Sequence, residues 1–198
     1  AMYGETDRLI GLAHAITPHP SPREYDVLLT TGEQVSIALL SIALNKIHCP
    51  AISLTGWQTG IYTNQTHMDA NIIHIDTHMI ERELNCNKVV IVAGFQGVTE
   101  NNDITTLGRG GSDTTAVALA HALRADECQI YTDVDGVYTT DPHLIPHAQL
   151  LTEICFEEML AMAGMGAKIL QKRAVELANR LHIPMRVLST FSEGSGTH

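Results

Sequence analysis

Val89-Val90-Ile91-Val92-Ala93-Gly94-Phe95 is a continuous apolar run. It is followed by the glycine-rich stretch Thr105-Thr106-Leu107-Gly108-Arg109-Gly110-Gly111-Ser112-Asp113, and then by an alanine-rich segment reaching Arg124. An uninterrupted apolar run suits a parallel strand buried on both faces of a sheet. Ala116, Val117, Leu119, Ala120 and Leu123 recur at helical spacing, and the alanines imply close packing on that sheet. Strand, loop and helix in this order predict an α/β fold with a mostly parallel sheet. The loop concentrates chemistry. Its glycines let backbone N–H groups approach an anion. A helix opening at Ser112 adds its positive end, and Arg109 supplies a planar fork for a carboxylate or phosphate. The same residues would also make an ordinary tight turn with an N-cap at Ser112. No Gly-Lys-Ser/Thr follows, so the loop is not a P-loop, and it lacks the dinucleotide fingerprint.

Working outward, Gly4 to Thr17 reads as a helix ended by Pro18, Pro20 and Pro22. A short helix from Arg23 to Thr30, a break at Gly32 and a longer helix from Glu33 to Ile47 follow. Val35, Ile37, Ala38, Leu39, Ile42 and Ala43 are expected to face inward. Ala51 to Leu54 and Asn71 to Ile75 read as strands, with residues 55–66 a loop between them and Thr77 to Leu84 a helix. Residues 96–111 read as loop throughout. Beyond the alanine-rich helix, Cys128 to Thr132 is a strand and Asp133 to Pro142 a turn-rich loop. Helices follow around Phe156–Ala163 and Ala167–Leu181, then a strand at Met185–Leu188 and a small polar tail. In open parallel sheets ligands sit beyond the carboxyl ends of strands. The loops after Phe95 and after Thr132 are therefore candidates for two halves of one site.

The bulk properties set limits. The 198 residues are 44% hydrophobic and 17% charged, enough for a buried core rather than a disordered chain. A net charge of −10 argues against nucleic acid or an anionic membrane as the main partner. Cys49, Cys86, Cys128 and Cys155 form no CxxC pair, so reduced, mostly buried thiols in a cytoplasmic protein are expected. No signal peptide or apolar run of spanning length is read.

Other residues offer chemistry beside a plainer account. Tyr131-Thr132-Asp133-Val134-Asp135-Gly136-Val137-Tyr138-Thr139-Thr140-Asp141-Pro142 suits a nucleotide, with Tyr138 against the base, or is simply a polar turn. A calcium loop is excluded there, since the third acidic position and the closing glutamate are missing. Lys168, after Gly164-Met165-Gly166-Ala167, serves a phosphate or is a solvated surface charge. Glu33 complements a helix dipole or binds a substrate ammonium. The eleven histidines, with His67, His74 and His78 the nearest cluster, read as scattered polar residues rather than a metal site.

Taken together, these motifs resemble aspartate kinase, of the amino-acid kinase family. The resemblance rests on Thr30-Thr31-Gly32-Glu33-Gln34-Val35-Ser36, Ser53-Leu54-Thr55-Gly56-Trp57-Gln58 and Val92-Ala93-Gly94-Phe95-Gln96-Gly97. Thr105 to Ala116, Tyr131 to Pro142, Gly164 to Leu170 and Arg173-Ala174-Val175-Glu176 extend it over nearly the whole chain. It implies a three-layer α/β/α sandwich, a kinase domain over residues 1–190 with a linker or tail over 191–198, and a cytoplasmic homodimer. It further implies phosphoryl transfer from Mg-ATP to the side-chain carboxylate of L-aspartate, the first step of lysine, threonine and methionine synthesis. Mg2+ would be held mainly by the nucleotide, with no dedicated protein metal site. Glu33 would hold the aspartate amino group and Arg109 its α-carboxylate, with Ser112 alongside and Asp113 organising the catalytic centre. Thr132, Asp133, Tyr138, Thr139, Asp141, His143 and Lys168 would contact ATP.

Three departures from the family pattern stand out. The family's N-terminal strand and Lys-Phe-Gly-Gly-Thr-Ser loop have no counterpart in this sequence, nor do its regulatory ACT domains. His143 stands where arginine often follows Asp-Pro, and Gln171-Lys172 replace a usual His-Pro. A glutamate or acetylglutamate kinase, and a non-catalytic module binding ATP and aspartate, are the competing readings.

Overall fold

The computed structural model describes residues 1–141, 144–145, 147–165 and 169–198. The chain divides into two compact units, residues 1–115 and 116–198.

The first unit opens with helices α1 (Glu5–Ile16) and α2 (Pro22–Lys46). Pro22 at the first turn of α2 presets φ where no donor is needed. The two helices expected on either side of Gly32 are one. Gly32 is a packing residue rather than a break: a Cβ there would lie 3.1 Å from Ala1 Cβ and 3.4 Å from both Glu5 Cγ and Leu9 Cδ1. Its absence lets α1 approach α2 closely. The inward face of α2 also differs from expectation. Asp26, Thr30, Glu33, Ile37 and Ser41 are buried, at spacings of four, three, four and four, while Val35, Leu39 and Ile42 are exposed. By length and composition α2 could cross a membrane. Its buried polar stripe, bonded into neighbouring strands, is instead that of a helix packed inside a folded unit.

The strands follow as β1 (Ala51–Leu54), β2 (Ile61–Thr63) and β3 (Ile72–Ile75), then helix α3 (His78–Asn85) and strands β4 (Val89–Val92), β5 (Gln96–Val98) and β6 (Ile104–Thr106). β1 pairs β4 in parallel; a second sheet runs β3-β2-β5-β6. In it β2–β5 is parallel, and β2–β3 and β5–β6 are antiparallel. The expected loops 55–66 and 96–111 therefore conceal three strands. Among the described residues β4 has one strand neighbour, and Val89 is exposed, so it is not the doubly buried strand that its apolar run suggests.

Helix α4 (Gly111–Ala122) begins in the first unit and runs into the second. The second unit then holds β7 (Cys128–Thr132), α5 (Phe156–Gly164), α6 (Lys172–Leu181) and β8 (Met185–Ser189). β7 and β8 pair in parallel from Cys128↔Met185 to Thr132↔Ser189. Val117, Val137, Ala174, Val175 and Ala178 are fully enclosed at the centre of its core. α6 begins at Lys172, later than Ala167, with an extended Gln171 before it. The polar tail returns to the core: Thr197 pairs with Val187 through both backbone bonds, and His198 exchanges bonds with Thr152 and Ile154. None of the four cysteines is in a disulfide, but only Cys128 is buried; Cys86 and Cys155 are exposed.

Candidate functional site

In the first unit the glycine-rich stretch resolves into the end of β6, a turn and the start of α4. Gly108 and Gly110 both have φ 74°, a left-handed conformation that costs an L side chain about 1–2 kcal/mol. The Gly111 N–H closes the turn on the Gly108 carbonyl at 3.1 Å. Close approach fixes the rest. A Cβ on Gly94 would lie 3.3 Å from Ser112 Cα, and one on Gly111 would lie 2.9 Å from Phe95 Cδ2. The Thr115 hydroxyl accepts the Phe95 N–H at 3.1 Å and donates to the Gly111 carbonyl at 2.7 Å. The start of α4 is thereby anchored to the segment between β4 and β5. Arg109 and Ser112 are exposed at this turn, and Asp113 is half-buried.

Glu33 approaches from α2. It is 8% exposed; Oε1 receives the Ala1 amino group at 3.0 Å, and Oε2 is buried without a partner. An ionised oxygen left in that state is costly unless a ligand satisfies it. The neighbouring buried polar groups are satisfied. Gln96 Nε2 donates to the Thr30 carbonyl at 3.2 Å, and its Oε1 accepts the Gly56 N–H at 3.2 Å. Thr63 and Thr105 hydroxyls meet at 2.6 Å. Glu33 is thus the exception on a face that otherwise completes its hydrogen bonds.

In the second unit Thr132 ends β7, and Asp133, Tyr138, Thr139 and Asp141 follow it at the carboxyl end. The Thr132 hydroxyl donates to Asp133 Oδ1 at 3.1 Å, and its carbonyl accepts the Thr190 N–H at 2.8 Å. Tyr138 lies opposite Leu150 in a narrow antiparallel contact, with Thr139 N–H donating to Gln149 O at 2.9 Å and Leu151 N–H to Val137 O at 2.8 Å. Tyr138 and Thr139 therefore sit on a hairpin-like arm rather than a free loop. Asp135 takes the Ser192 hydroxyl and, at 3.5 Å, the Tyr138 hydroxyl. His143 and Lys168 lie outside the described residues.

Several structural residues of these sites carry no motif. Asp26 and Thr106, both buried, and the partly exposed His67 form a cluster behind the Gly108 turn. Thr197 clamps the arm of Tyr138. Their partners are 41 to 80 residues away in sequence, which no local pattern reveals. His74 stacks on Tyr62 with ring centroids 6.2 Å apart. Among the described residues no group of three or more His, Cys, Asp or Glu could hold a metal ion.

Comparison with known proteins adds the following. Residues 3–189 match the model of the Amino acid kinase family. An aspartokinase of Pseudomonas aeruginosa is 62% identical over 197 residues, covering all of this chain and 48% of that protein. The crystal structure of aspartate kinase from Synechocystis superposes with a TM-score of 0.87 at 53% identity, over 100% of this chain and 32% of that one. E. coli aspartokinase III in complex with aspartate and ADP gives 0.81 at 34% identity, over 96% of this chain and 43% of that one. The chain spans about half the length of the curated relatives it matches.

Proposed function

The chain belongs to the amino acid kinase family, and from that premise we propose that it transfers the γ-phosphoryl group of ATP to the side-chain carboxylate of L-aspartate. The observation that carries the reading is Glu33: a buried carboxylate with one oxygen unpartnered, on the face of α2 packed against β6. The chain leaves β6 into the turn bearing Arg109. An anion for an ammonium and a planar cation for a carboxylate are the two groups that an α-amino acid requires. The complex of E. coli aspartokinase III with aspartate and ADP supports the same pair of ligands.

In this reading Glu33 takes the α-ammonium, Arg109 the α-carboxylate, and Ser112 lies beside it. Asp113 orders the catalytic centre. Thr132, Asp133, Tyr138, Thr139, Asp141 and His143 take the nucleotide, with Lys168 serving its phosphates. Mg2+ enters with ATP as part of the substrate. A side-chain carboxylate oxygen attacks the γ-phosphorus, the bond to the β,γ-bridging oxygen breaks, and ADP leaves with that electron pair. The nucleophile is already ionised at neutral pH and needs no general base. Catalysis is a matter of holding two anions in line and neutralising them.

The test is hydroxylamine trapping of the acyl phosphate, with ATP and L-aspartate, L-glutamate or N-acetyl-L-glutamate in parallel. Hydroxamate from L-aspartate in preference to the others is expected. Preference for another acid would overturn the substrate. Binding of both ligands without any trapped acyl phosphate would leave a binding module.

A further inference from the structure

Asp26 has no part in the reading above, yet it is fully buried two turns before Glu33 on the same helix face. Its carboxylate gathers three segments. His67 Nδ1 lies 2.7 Å from Oδ2, the Met68 N–H lies 3.1 Å from both oxygens, and the Thr106 hydroxyl donates to Oδ1 at 2.6 Å. Thr106 is held from its other side as well, because the Ala70 N–H donates to its carbonyl at 2.9 Å. The segment tied to Asp26 presses directly on the glycine turn. A Cβ on Gly108 would lie 2.9 Å from the Met68 carbonyl and 3.0 Å from Asp69 Oδ1.

From this geometry we propose that Asp26 is a positioning residue for the bound amino acid, an inference that rests on the aspartate reading of Glu33 and Arg109. Asp26 and Glu33 are separated by seven residues of one helix, about 10 Å along its axis, which acts as a rigid spacer. Asp26 fixes Thr106, the last residue of β6, and the 67–69 segment that backs Gly108. Arg109 is the next residue. The distance between the ammonium and carboxylate holders is therefore set by a carboxylate that touches no ligand. A buried charge is a poor way to add stability alone, since an apolar replacement of similar shape often does as well. Asp26 instead specifies the register of three segments, and small misplacement of binding groups weakens a site steeply.

The experiment compares the full chain with Asp26→Asn, Thr106→Val and Thr106→Ser, measuring L-aspartate and ADP binding by calorimetry and amide hydrogen exchange by mass spectrometry. Asp26→Asn and Thr106→Val should weaken L-aspartate binding about tenfold or more and ADP binding less than about twofold. Thr106→Ser, which keeps the hydroxyl, should restore the affinity. Exchange should quicken at Met68 and across 107–111 in the two weakened variants. Unchanged L-aspartate affinity, or equal loss of both ligands, overturns the proposal. If Asp26→Asn does not fold, the contrast between Thr106→Val and Thr106→Ser decides. If the unaltered chain fails to bind L-aspartate, the functional reading fails; unchanged exchange at 107–111 in the variants then separately overturns the role of Asp26.

Discussion

The Thr197 hydroxyl accepts the Val137 N–H at 2.8 Å across sixty residues of sequence, and donates in turn to the Leu151 carbonyl at 2.6 Å. One side chain thereby closes both strands of the arm that carries Tyr138 and Thr139, while its own backbone pairs with Val187 in β8. Thr197→Val keeps the shape and removes both bonds, leaving a buried N–H and a carbonyl without partners. That should cost about 1–3 kcal/mol, read as a lowered Tm. ADP affinity should fall with it, whereas Thr197→Ser should retain both. A Thr197→Val protein as stable as the parent would show that water or a shifted tail replaces the hydroxyl.

Arg109 stands exposed at a turn stiffened by two left-handed glycines. Arg109→Ala should weaken L-aspartate binding by about 2–5 kcal/mol if the pair with the substrate carboxylate is desolvated, and leave ADP binding nearly unchanged. Arg109→Lys keeps the charge but loses the fork, and should recover only part of the affinity. Calorimetric titration with each ligand separates these outcomes. Equal loss of both ligands would remove Arg109 from the amino-acid site.

Gly108→Ala tests the backbone of the same turn. The new Cβ must adopt φ 74° and would meet the Met68 carbonyl at 2.9 Å. The left-handed conformation alone costs about 1–2 kcal/mol, so denaturant unfolding should show at least that loss. The affinity for L-aspartate should fall as the turn shifts. Gly11 is the matched control: it lies within α1, and a Cβ there has nothing within 4 Å. Gly11→Ala should stabilise by up to about 1 kcal/mol.

Glu83 gives the pH test. Its carboxyl is held below the usual value of 4.5, first by hydrogen bonding to Lys88 Nζ and then by Arg82. A folded-state pKa below the unfolded one means stability present above about pH 4.5 and lost as pH falls through the lower, folded value. Glu83→Gln should therefore flatten the acid limb of a Tm-versus-pH curve and change its neutral plateau by a constant. An acid limb parallel to the parent's would show that the pair does not contribute.

These elements differ in how readily the sequence discloses them. The helices α1, α3, α4 and α5 and the strands β1, β3, β7 and β8 announce themselves through helical spacing or through short apolar runs bounded by turn residues. Strands β2, β5 and β6 do not, because each is three residues long and they are built from threonine, glycine and glutamine as much as from apolar side chains. The orientation of α2 is misread for a related reason. Its apolar residues suggest an inward face, but the buried side carries Asp26, Thr30 and Glu33 because it packs against the polar backs of site strands. Glu33 and Arg109 are named as ligand holders by the family resemblance, their local sequence alone being equally that of a helix start and a tight turn. The residues that brace the turn and the arm, Asp26, His67 and Thr197, stay silent because their partners are remote in sequence and their types are ordinary.

Glu33 distinguishes a binding carboxylate from a structural one. Glu33→Gln keeps the volume and removes a charge whose Oε2 is buried without a partner. Its Oε1 is nonetheless paired with the Ala1 amino group at 3.0 Å, so the variant gives up that ion pair and should lose about 1–3 kcal/mol of stability. L-aspartate binding should meanwhile fall steeply, because a neutral amide cannot offset the ammonium charge. ADP binding should hold. Lost amino-acid affinity with intact ADP affinity is the signature of a group that serves a ligand as well as the fold. Lost stability with intact L-aspartate affinity would return Glu33 to the fold and detach it from the site.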